Sequence, residues 1–184
     1  GYLLLGMAAG VQSGPAILYY LLGYAFTNLG AFSVVIALEH RGAASNLISD
    51  FRGLAERQPL LAGAMTIFLL SLTGVPPLAG FVGKFYIFSS ALHQGYVSLV
   101  IIAVLNSVVS AYYYFYVIVA MYMQEGGIAV DKMSARPALV AAIGLAAIAT
   151  IAVGAYPQPY ITSAANAFHS ANGAEGVHAT ALDP

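Results

Sequence analysis

The sequence predicts an all-α fold, a polytopic transmembrane helix bundle in which one transmembrane helix is discontinuous. Sixty per cent of the 184 residues are hydrophobic and only 7% are charged, against roughly 25% charged residues in an average soluble domain. Several apolar stretches reach the ~20 residues that a helix needs to cross a bilayer. One of these stretches contains a proline pair, which interrupts a helix because proline lacks the amide donor and clashes with the preceding turn.

Five apolar segments follow one another along the chain. The first, 1–11, is about half a span, so we expect the chain to begin inside a helix and to be the C-terminal part of a longer membrane protein. The alternative is a complete small protein with a short first helix. Full spans are predicted at 15–38, 59–92, 97–123 and 137–156, within one transmembrane domain over 1–162. The tail 163–184 is rich in Ala, Gly, Asn and His without periodicity, which predicts a mobile segment.

The segment 59–92 is too long for one straight span. At about 1.5 Å per residue it would reach roughly 50 Å, against about 30 Å of hydrocarbon. We therefore expect two half-helices joined by an unwound break near 75–78, an arrangement that marks ion or substrate sites in transporters. The alternative is a proline kink in a continuous helix. Four residues that disfavour a regular helix lie at or beside the predicted break: Gly74, Pro76, Pro77 and Gly80.

Lys84 is the only charged side chain in this segment. An ionisable group at membrane depth costs about 2.5–3.5 kcal/mol on insertion scales and usually has a function. Lysine releases its proton more readily when it is removed from water, as a proton relay requires. These properties predict that Lys84 relays protons. The alternative is a lysine whose long side chain reaches the membrane interface near His93.

Polar side chains in two other spans are candidates for a water path toward Lys84. They recur at helical spacing within apolar sequence, so each set shares one helix face. Taken singly, each is better explained by an interhelical hydrogen bond worth about 1 kcal/mol or less, and it is as sets facing Lys84 that they become candidates. The candidates are Tyr20, Tyr24, Thr27 and Asn28 in the span 15–38, and Asn106, Ser110 and Tyr113 in the span 97–123, where Ser107 and Tyr114 lie beside them.

Basic residues are confined to the loops at one end of the predicted bundle. The loops 39–58 and 124–136 contain all of them except Lys84, and the opposite loops contain no Lys or Arg. By the positive-inside rule these two loops face the cytoplasm or its equivalent, and the C-terminus lies on the other side. The basic residues are Arg41, Arg52, Arg57, Lys132 and Arg136.

The first basic loop also contains an amphipathic pattern. Leu47, Phe51 and Leu54 recur at helical spacing, which predicts a turn lying against the bundle. The alternative is a solvated loop.

Several kinds of chemistry are not indicated by the sequence. The net charge of −1 gives no reason to expect a nucleic-acid partner. Cysteine is absent, so no iron–sulfur cluster or thiolate zinc site is expected. No dinucleotide-binding glycine fingerprint and no Walker loop is present. We therefore expect a multi-pass protein of the lipid bilayer in which this chain itself binds neither a cofactor nor a metal.

The run SLTGVPPLAGFVGKF at 71–85 closely resembles the signature of the antiporter-like proton-pumping subunits of respiratory complex I. The phenylalanine after the lysine is most similar to the subunit N (chain 2) group. Further similarities span the chain. The run GYLLLG at 1–6 resembles the tenth helix of the family, and residues 20–32 resemble the eleventh. The run DFRGL at 50–54 resembles a cytoplasmic link. Residues 111–117 resemble the tyrosine-rich thirteenth helix, and GAYPQP at 154–159 resembles the end of the fourteenth.

The resemblance implies a subunit of a type I NADH:quinone oxidoreductase, a proton translocase in which Lys84 ends a chain of charged residues along the membrane midplane. It implies that other subunits use NADH, FMN, iron–sulfur clusters and quinone, and that the partners are other membrane subunits of complex I. It also implies the bacterial cytoplasmic membrane or an equivalent energy-transducing membrane. The family's glutamate–lysine pair and central lysine lie on helices five to eight, outside the resemblance. Tyr116 stands where many members have arginine, so no role is carried over to it.

Two other functions stay open at this point. A related multisubunit Na⁺/H⁺ antiporter or membrane-bound hydrogenase contains the same kind of subunit. A purely structural membrane subunit is the alternative from another class, and it would not depend on Lys84.

Overall fold

The computed structural model describes residues 1–38, 47–126 and 137–180, with side chains described through residue 171. Within these ranges the chain forms eight α-helices and no strand. Short 3₁₀ turns at Val11–Ser13 and Ile48–Phe51 precede the second and third helices. The helices are α1 Tyr2–Ala8, α2 Gly14–Leu38, α3 Leu54–Arg57, α4 Pro59–Thr73, α5 Ala79–His93, α6 Val97–Met123, α7 Pro137–Ala155 and α8 Gln158–Thr180.

Three segments of the described chain are helical, long and apolar enough to cross a membrane: Val11–Leu38, Val97–Met123 and Pro137–Ala155. The predicted segment 59–92 is occupied instead by two 15-residue helices, α4 and α5. The prediction of an all-α membrane bundle with one discontinuous helix is therefore confirmed. The predicted span 137–156 and the helix α7 begin at the same residue and differ by one residue at the C-terminal end.

The break between α4 and α5 is five residues long, from Gly74 to Leu78. Gly74 ends α4 with a φ of 95°, a left-handed conformation that glycine adopts without a steric cost. Pro76 and Pro77 follow, joined by a cis peptide bond. Leu78 is extended and leads into α5. The kinked continuous helix that stood as the alternative is therefore wrong.

The half-helix α5 lies within the bundle rather than at its edge. It contacts α1, α2, α6 and α7. Ile87 and Ala91 on α5 are fully buried in a cluster with Leu5 of α1 and Val100 of α6. A larger cluster joins α2, α4, α6 and α7 around Phe68 of α4. The lysine-bearing segment is thus enclosed by apolar packing on several sides.

The loops fall into two groups at opposite ends of the bundle. Between α1 and α2, Gln12 accepts a hydrogen bond of 2.8 Å from Gln94, which follows α5. At the other end, the N–H of Gly53 donates to the carbonyl of Ala120 near the end of α6. Arg52 therefore lies with the C-terminal end of α6, at the end away from Gln12. The side of the membrane that each group faces stays a prediction, and Arg41, Lys132 and Arg136 lie outside the described residues.

The predicted amphipathic turn is only partly correct. Phe51 and Leu54 are 7% and 0% exposed and join the core, whereas Leu47 is 65% exposed. Leu47 precedes the 3₁₀ turn and has an extended backbone. It therefore does not share a helix face with Phe51 and Leu54.

The tail contains a helix that the sequence analysis did not predict. Helix α8 runs from Gln158 to Thr180, and the ring of Phe168 lies against Gly14 at the start of α2. The many alanines of this segment favour helix, but its apolar residues lack the period of 3.6 that reveals one. The predicted tail boundary at residue 163 falls inside this helix. The mobility of the tail stays a prediction.

Candidate functional site

Lys84 lies in the second turn of α5, and its side chain is only 6% exposed. Its Nζ donates hydrogen bonds to the carbonyl oxygens of Leu72 and Thr73, at 2.8 and 2.9 Å, and to Ser107 Oγ at 3.0 Å. The ring of Tyr2 lies beside the amine, with its centroid 4.8 Å from Nζ, which is within the range of a cation–π contact. The amine is thus surrounded by neutral groups.

The break supplies the two backbone oxygens that bind the lysine. The last four carbonyls of a helix have no partner within it, and they form the negative end of its dipole. In α4, the carbonyls of Leu70 and Ser71 are satisfied by N–H groups of the turn that follows, those of Gly74 and Val75. The remaining two, on Leu72 and Thr73, accept from Lys84. The lysine therefore completes the C-terminal cap of α4.

Ser71 joins the two half-helices to α2. The N–H of Gly80, in the first turn of α5, donates to Ser71 Oγ at 3.1 Å, and Ser71 Oγ lies 3.2 Å from Thr27 Oγ1. Thr27 gives its single proton to the carbonyl of Gly23 at 2.7 Å, so Ser71 must donate to Thr27. A Cβ on Gly80 would overlap the Ser71 carbonyl. Glycine at position 80 thus permits the contact between the half-helices.

Helix α7 covers the break. Gly154 lies so close to the backbone of Pro77 and Leu78 that a Cβ there would overlap it. Beside this contact, the fully buried Tyr19 donates from its hydroxyl to the carbonyl of Val153 at 2.7 Å. Irregular backbone at membrane depth persists only where protein or water satisfies it. At the break, α7 provides that cover.

Three spaces of different character meet at Lys84. A polar cavity of about 250 Å³ lies between α1, α2 and α6. A small cavity of about 20 Å³ lies between α2, the end of α4 and the start of α5, enough for about one water molecule. A more open groove of about 320 Å³ lies between α5 and α6 and is lined mainly by apolar side chains, including Phe81, Phe85 and Phe88. The amine therefore separates a polar side from an apolar side.

Six of the seven predicted water-path residues line these cavities. Asn28 does not, because it follows Thr27 by one residue and a helix turns about 100° per residue. That these residues conduct protons stays a prediction. Tyr20, Tyr24, Asn106, Ser110 and Tyr113 line the polar cavity, and Thr27 lines the small one.

Four contributors to this site were not predicted from the sequence. The carbonyls of Leu72 and Thr73 leave no side-chain signal. Ser71 and Tyr2 were not selected, although Ser71 directly precedes the break. Among the described residues, no three His, Asp or Glu side chains come close enough together to hold a metal ion.

Comparison with protein families gives one match over most of the site. The family described as NADH:quinone oxidoreductase/Mrp antiporter, transmembrane, matches residues 1–110. This range contains α1 to α5, the break, Lys84 and Ser107. It covers more than half of the chain.

Curated relatives are similar to almost the whole chain. The chain is 43% identical over 159 residues to NADH-quinone oxidoreductase subunit N of Trichlorobacter lovleyi. It is 48% identical over 161 residues to the protein of the same name from Chloroflexus aggregans. Each match covers 86% of this chain and 33% of the relative. The chain thus spans about a third of the length of these relatives.

Two solved structures share the fold. A chain of respiratory complex I from Thermus thermophilus with bound aureothin matches with a TM-score of 0.76 and 30% identity, over 88% of this chain and 36% of that one. A chain of the Mrp complex from Dietzia matches with a TM-score of 0.75 over 91% of this chain and 40% of that one. Its identity of 23% shows similarity of fold alone. By its family match, its apolar helices and its broken span, this integral membrane protein belongs to the NADH:quinone oxidoreductase/Mrp antiporter transmembrane family.

Proposed function

We propose that the chain is part of a proton-translocating membrane subunit of NADH-quinone oxidoreductase, in which Lys84 carries protons while other subunits transfer electrons. One observation carries this proposal: a buried lysine whose three hydrogen-bond partners are neutral oxygens. A carboxylate partner would be left as an unpaired buried charge whenever the lysine lost its proton, at a cost of several kcal/mol. Neutral partners leave no such charge, so both protonation states of Lys84 are accessible.

The polar cavity is the proposed source and sink of the proton. Its lining of hydroxyl and amide groups, among them Tyr20, Asn106 and Ser110, provides the partners that buried water needs. Water in this cavity would exchange protons with Lys84. The groove lined by Phe81, Phe85 and Phe88 offers few such partners, so it keeps water from the opposite side of the amine.

The partners of this chain are proposed to be other membrane subunits of complex I. One face of α6 is broadly exposed, with Tyr112, Val108 and Ile102 at 77, 66 and 62%, and it suits contact with lipid or with another transmembrane helix. NADH, FMN, iron–sulfur clusters and quinone would be bound by other subunits. The membrane would be the bacterial cytoplasmic membrane or an equivalent energy-transducing membrane.

A second candidate function is cation/proton antiport. The family description includes Mrp antiporters, and the Dietzia chain shares the fold. A subunit of this kind would couple proton flow to sodium rather than to quinone reduction. The higher identity to the subunit N relatives, up to 48%, favours the oxidoreductase.

The test is the substitution Lys84→Ala in the assembled complex, in inverted membrane vesicles. NADH oxidation by quinone and proton uptake are measured together, with and without sodium. We expect assembly to be retained and proton uptake per NADH to fall. Lys84→His should keep part of the uptake because histidine titrates near neutral pH. Lys132→Ala removes the other lysine of the chain, which the sequence places between α6 and α7, and is the matched control.

Normal proton uptake by an assembled Lys84→Ala complex would overturn the relay and leave a structural role. A proton flux that follows the sodium gradient and continues without NADH would identify the antiporter instead.

A further inference from the structure

The three hydrogen-bond partners of Lys84 differ in what they can do. The carbonyls of Leu72 and Thr73 are acceptors only, whereas the Ser107 hydroxyl both donates and accepts. A protonated lysine has three N–H donors. All three have partners in this site. The charged state of Lys84 is thus fully satisfied without a water molecule.

When Lys84 is neutral, only one arrangement of hydrogen bonds satisfies the same three partners. A neutral amine has two N–H donors and one lone pair. Since the Leu72 and Thr73 carbonyls can only accept, they take the two donors. The lone pair then faces Ser107, whose hydroxyl turns and donates to Nζ. Ser107 is therefore the partner through which this site accommodates both protonation states.

Tyr2 continues the hydrogen-bonded chain from Ser107. The Tyr2 hydroxyl lies 2.8 Å from Ser107 Oγ, and either oxygen can be the donor. The Tyr2 ring is held between Tyr20 and Phe88, with centroid distances of 6.3 and 5.7 Å. Tyr2 also lines the polar cavity of about 250 Å³. Tyr2 thus contacts Ser107 through its hydroxyl and also borders the space that suits water.

We propose that Ser107 and Tyr2 form a two-hydroxyl proton wire between Lys84 and the polar cavity. This inference rests on the proposed function of Lys84. In one transfer, an Nζ–H bond of Lys84 breaks and that proton binds Ser107 Oγ. Ser107 passes its own proton to the Tyr2 hydroxyl, and Tyr2 passes its own to a water molecule in the cavity, which becomes hydronium. Lys84 is left neutral. The Ser107 hydroxyl then donates to Nζ and the Tyr2 hydroxyl donates to Ser107, so that the two hydroxyls can return a proton to Lys84.

The competing route is direct contact between Lys84 and water, because Lys84 also lines the polar cavity. That route requires one of the three hydrogen bonds of the ammonium to break first. The wire requires no bond to break before the transfer. Ser107 also lines the apolar groove, but that groove does not favour water, so the wire conducts toward the polar cavity.

The wire is tested with Ser107→Ala, Ser107→Thr and Tyr2→Phe in the assembled complex, with the rates of proton uptake and of NADH oxidation as the readouts. We expect Ser107→Ala and Tyr2→Phe each to lower the rate of proton uptake by about a hundredfold, the lower limit for a positioned proton-transfer group. Ser107→Thr keeps the hydroxyl and should restore most of the rate. Tyr2→Phe keeps the ring stacking, so it separates the hydroxyl from the packing.

Matched controls are Ser33→Ala, which removes a hydroxyl bonded to its own helix at Leu29, and Tyr112→Phe on the exposed face of α6. Both should pump normally. Full uptake in Ser107→Ala and Tyr2→Phe, with uptake lost in Lys84→Ala, would overturn the wire and leave direct exchange with water. Equal loss in Ser107→Ala and Ser107→Thr would overturn it in favour of a packing role. Normal uptake in Lys84→Ala would reject the proposed function itself.

Discussion

Two long apolar regions of this protein, 59–93 and 97–123, fold differently: the first is a broken helix and the second is a continuous one. The second is a single helix, α6, of 27 residues, with no glycine, proline or charge in its sequence. The first is divided into α4 and α5 by Gly74–Leu78, and it contains the lysine. The difference shows where a charge is accommodated at membrane depth.

In an unbroken helix each backbone oxygen at mid-membrane already accepts a helical N–H, so none is left without a partner there. In α6, polar side chains such as Asn106 and Ser110 provide the only polar groups. The end of α4 instead leaves two free carbonyls at the place where α5 returns beside it, and Lys84 occupies both. A break therefore provides backbone carbonyls that bind an ammonium. In an unbroken helix, side chains would have to supply these acceptors.

The two regions also differ in how much protein must cover them. Much of α6 is exposed, since its backbone is already satisfied and lipid can lie against it. The break cannot be left in lipid, because an unsatisfied backbone group there costs several kcal/mol. It is covered by α7 through Gly154 and linked to α2 through Ser71. We therefore expect substitutions in the residues that cover the break to destabilise this region strongly.

The largest expected loss of stability comes from a substitution that disturbs the close contact between α7 and the break. Gly154→Ala places a methyl group on the backbone of Pro77 and Leu78, which neither residue can move aside cheaply. We expect about 3 kcal/mol of destabilisation, the upper part of the range for overpacking. Less of the subunit should be retained in the purified complex.

The matched control for this change lies on the same helix. A Cβ on Gly144 meets no atom within 4 Å, so Gly144→Ala should leave the amount of complex unchanged. Equal retention of the Gly154→Ala and Gly144→Ala proteins would show that α7 does not hold the break.

A smaller effect is expected from Ser71→Ala. The substitution removes the acceptor of the Gly80 N–H and the donor to Thr27. A buried donor without a partner costs about 1–3 kcal/mol, although hydrogen bonds between membrane helices average about 0.6 kcal/mol. We expect a loss of about 1 kcal/mol, seen as a lower midpoint of thermal inactivation of the purified complex.

Ser33→Ala serves as the control for Ser71→Ala, because the Ser33 hydroxyl bonds only within its own helix, to Leu29 at 2.6 Å. The midpoint should not change in this variant. If Ser71→Ala also left the midpoint unchanged, the two half-helices would be held together by apolar packing alone.

Much of this fold was predictable because it follows from length and from proline. A largely apolar stretch of 34 residues, 59–92, exceeds one span, and Pro76 and Pro77 in its middle leave few ways to fold it. Lys84 could be chosen as a candidate from the sequence because a single charge in such a stretch is rare. Tyr20 and Tyr24 were predictable from their spacing on one helix face.

What the sequence could not show depends on backbone atoms and on three-dimensional neighbours. The carbonyls of Leu72 and Thr73 bind Lys84 whatever their side chains are. Ser71 and Tyr2 are ordinary residues in apolar helices until the fold brings them to Gly80 and Ser107. Helix α8 has good intrinsic propensity but no apolar period.

The most direct measurement is the proton uptake per NADH of the assembled complex with Lys84→Arg. Arginine keeps a positive charge beside the α4 carbonyls but does not release its proton at physiological pH. If Lys84 only neutralises the end of α4, arginine should replace it and uptake should stay normal. The relay predicts that the Lys84→Arg complex assembles, and that its proton uptake falls to the level of Lys84→Ala. Normal uptake with arginine at position 84 would contradict the account.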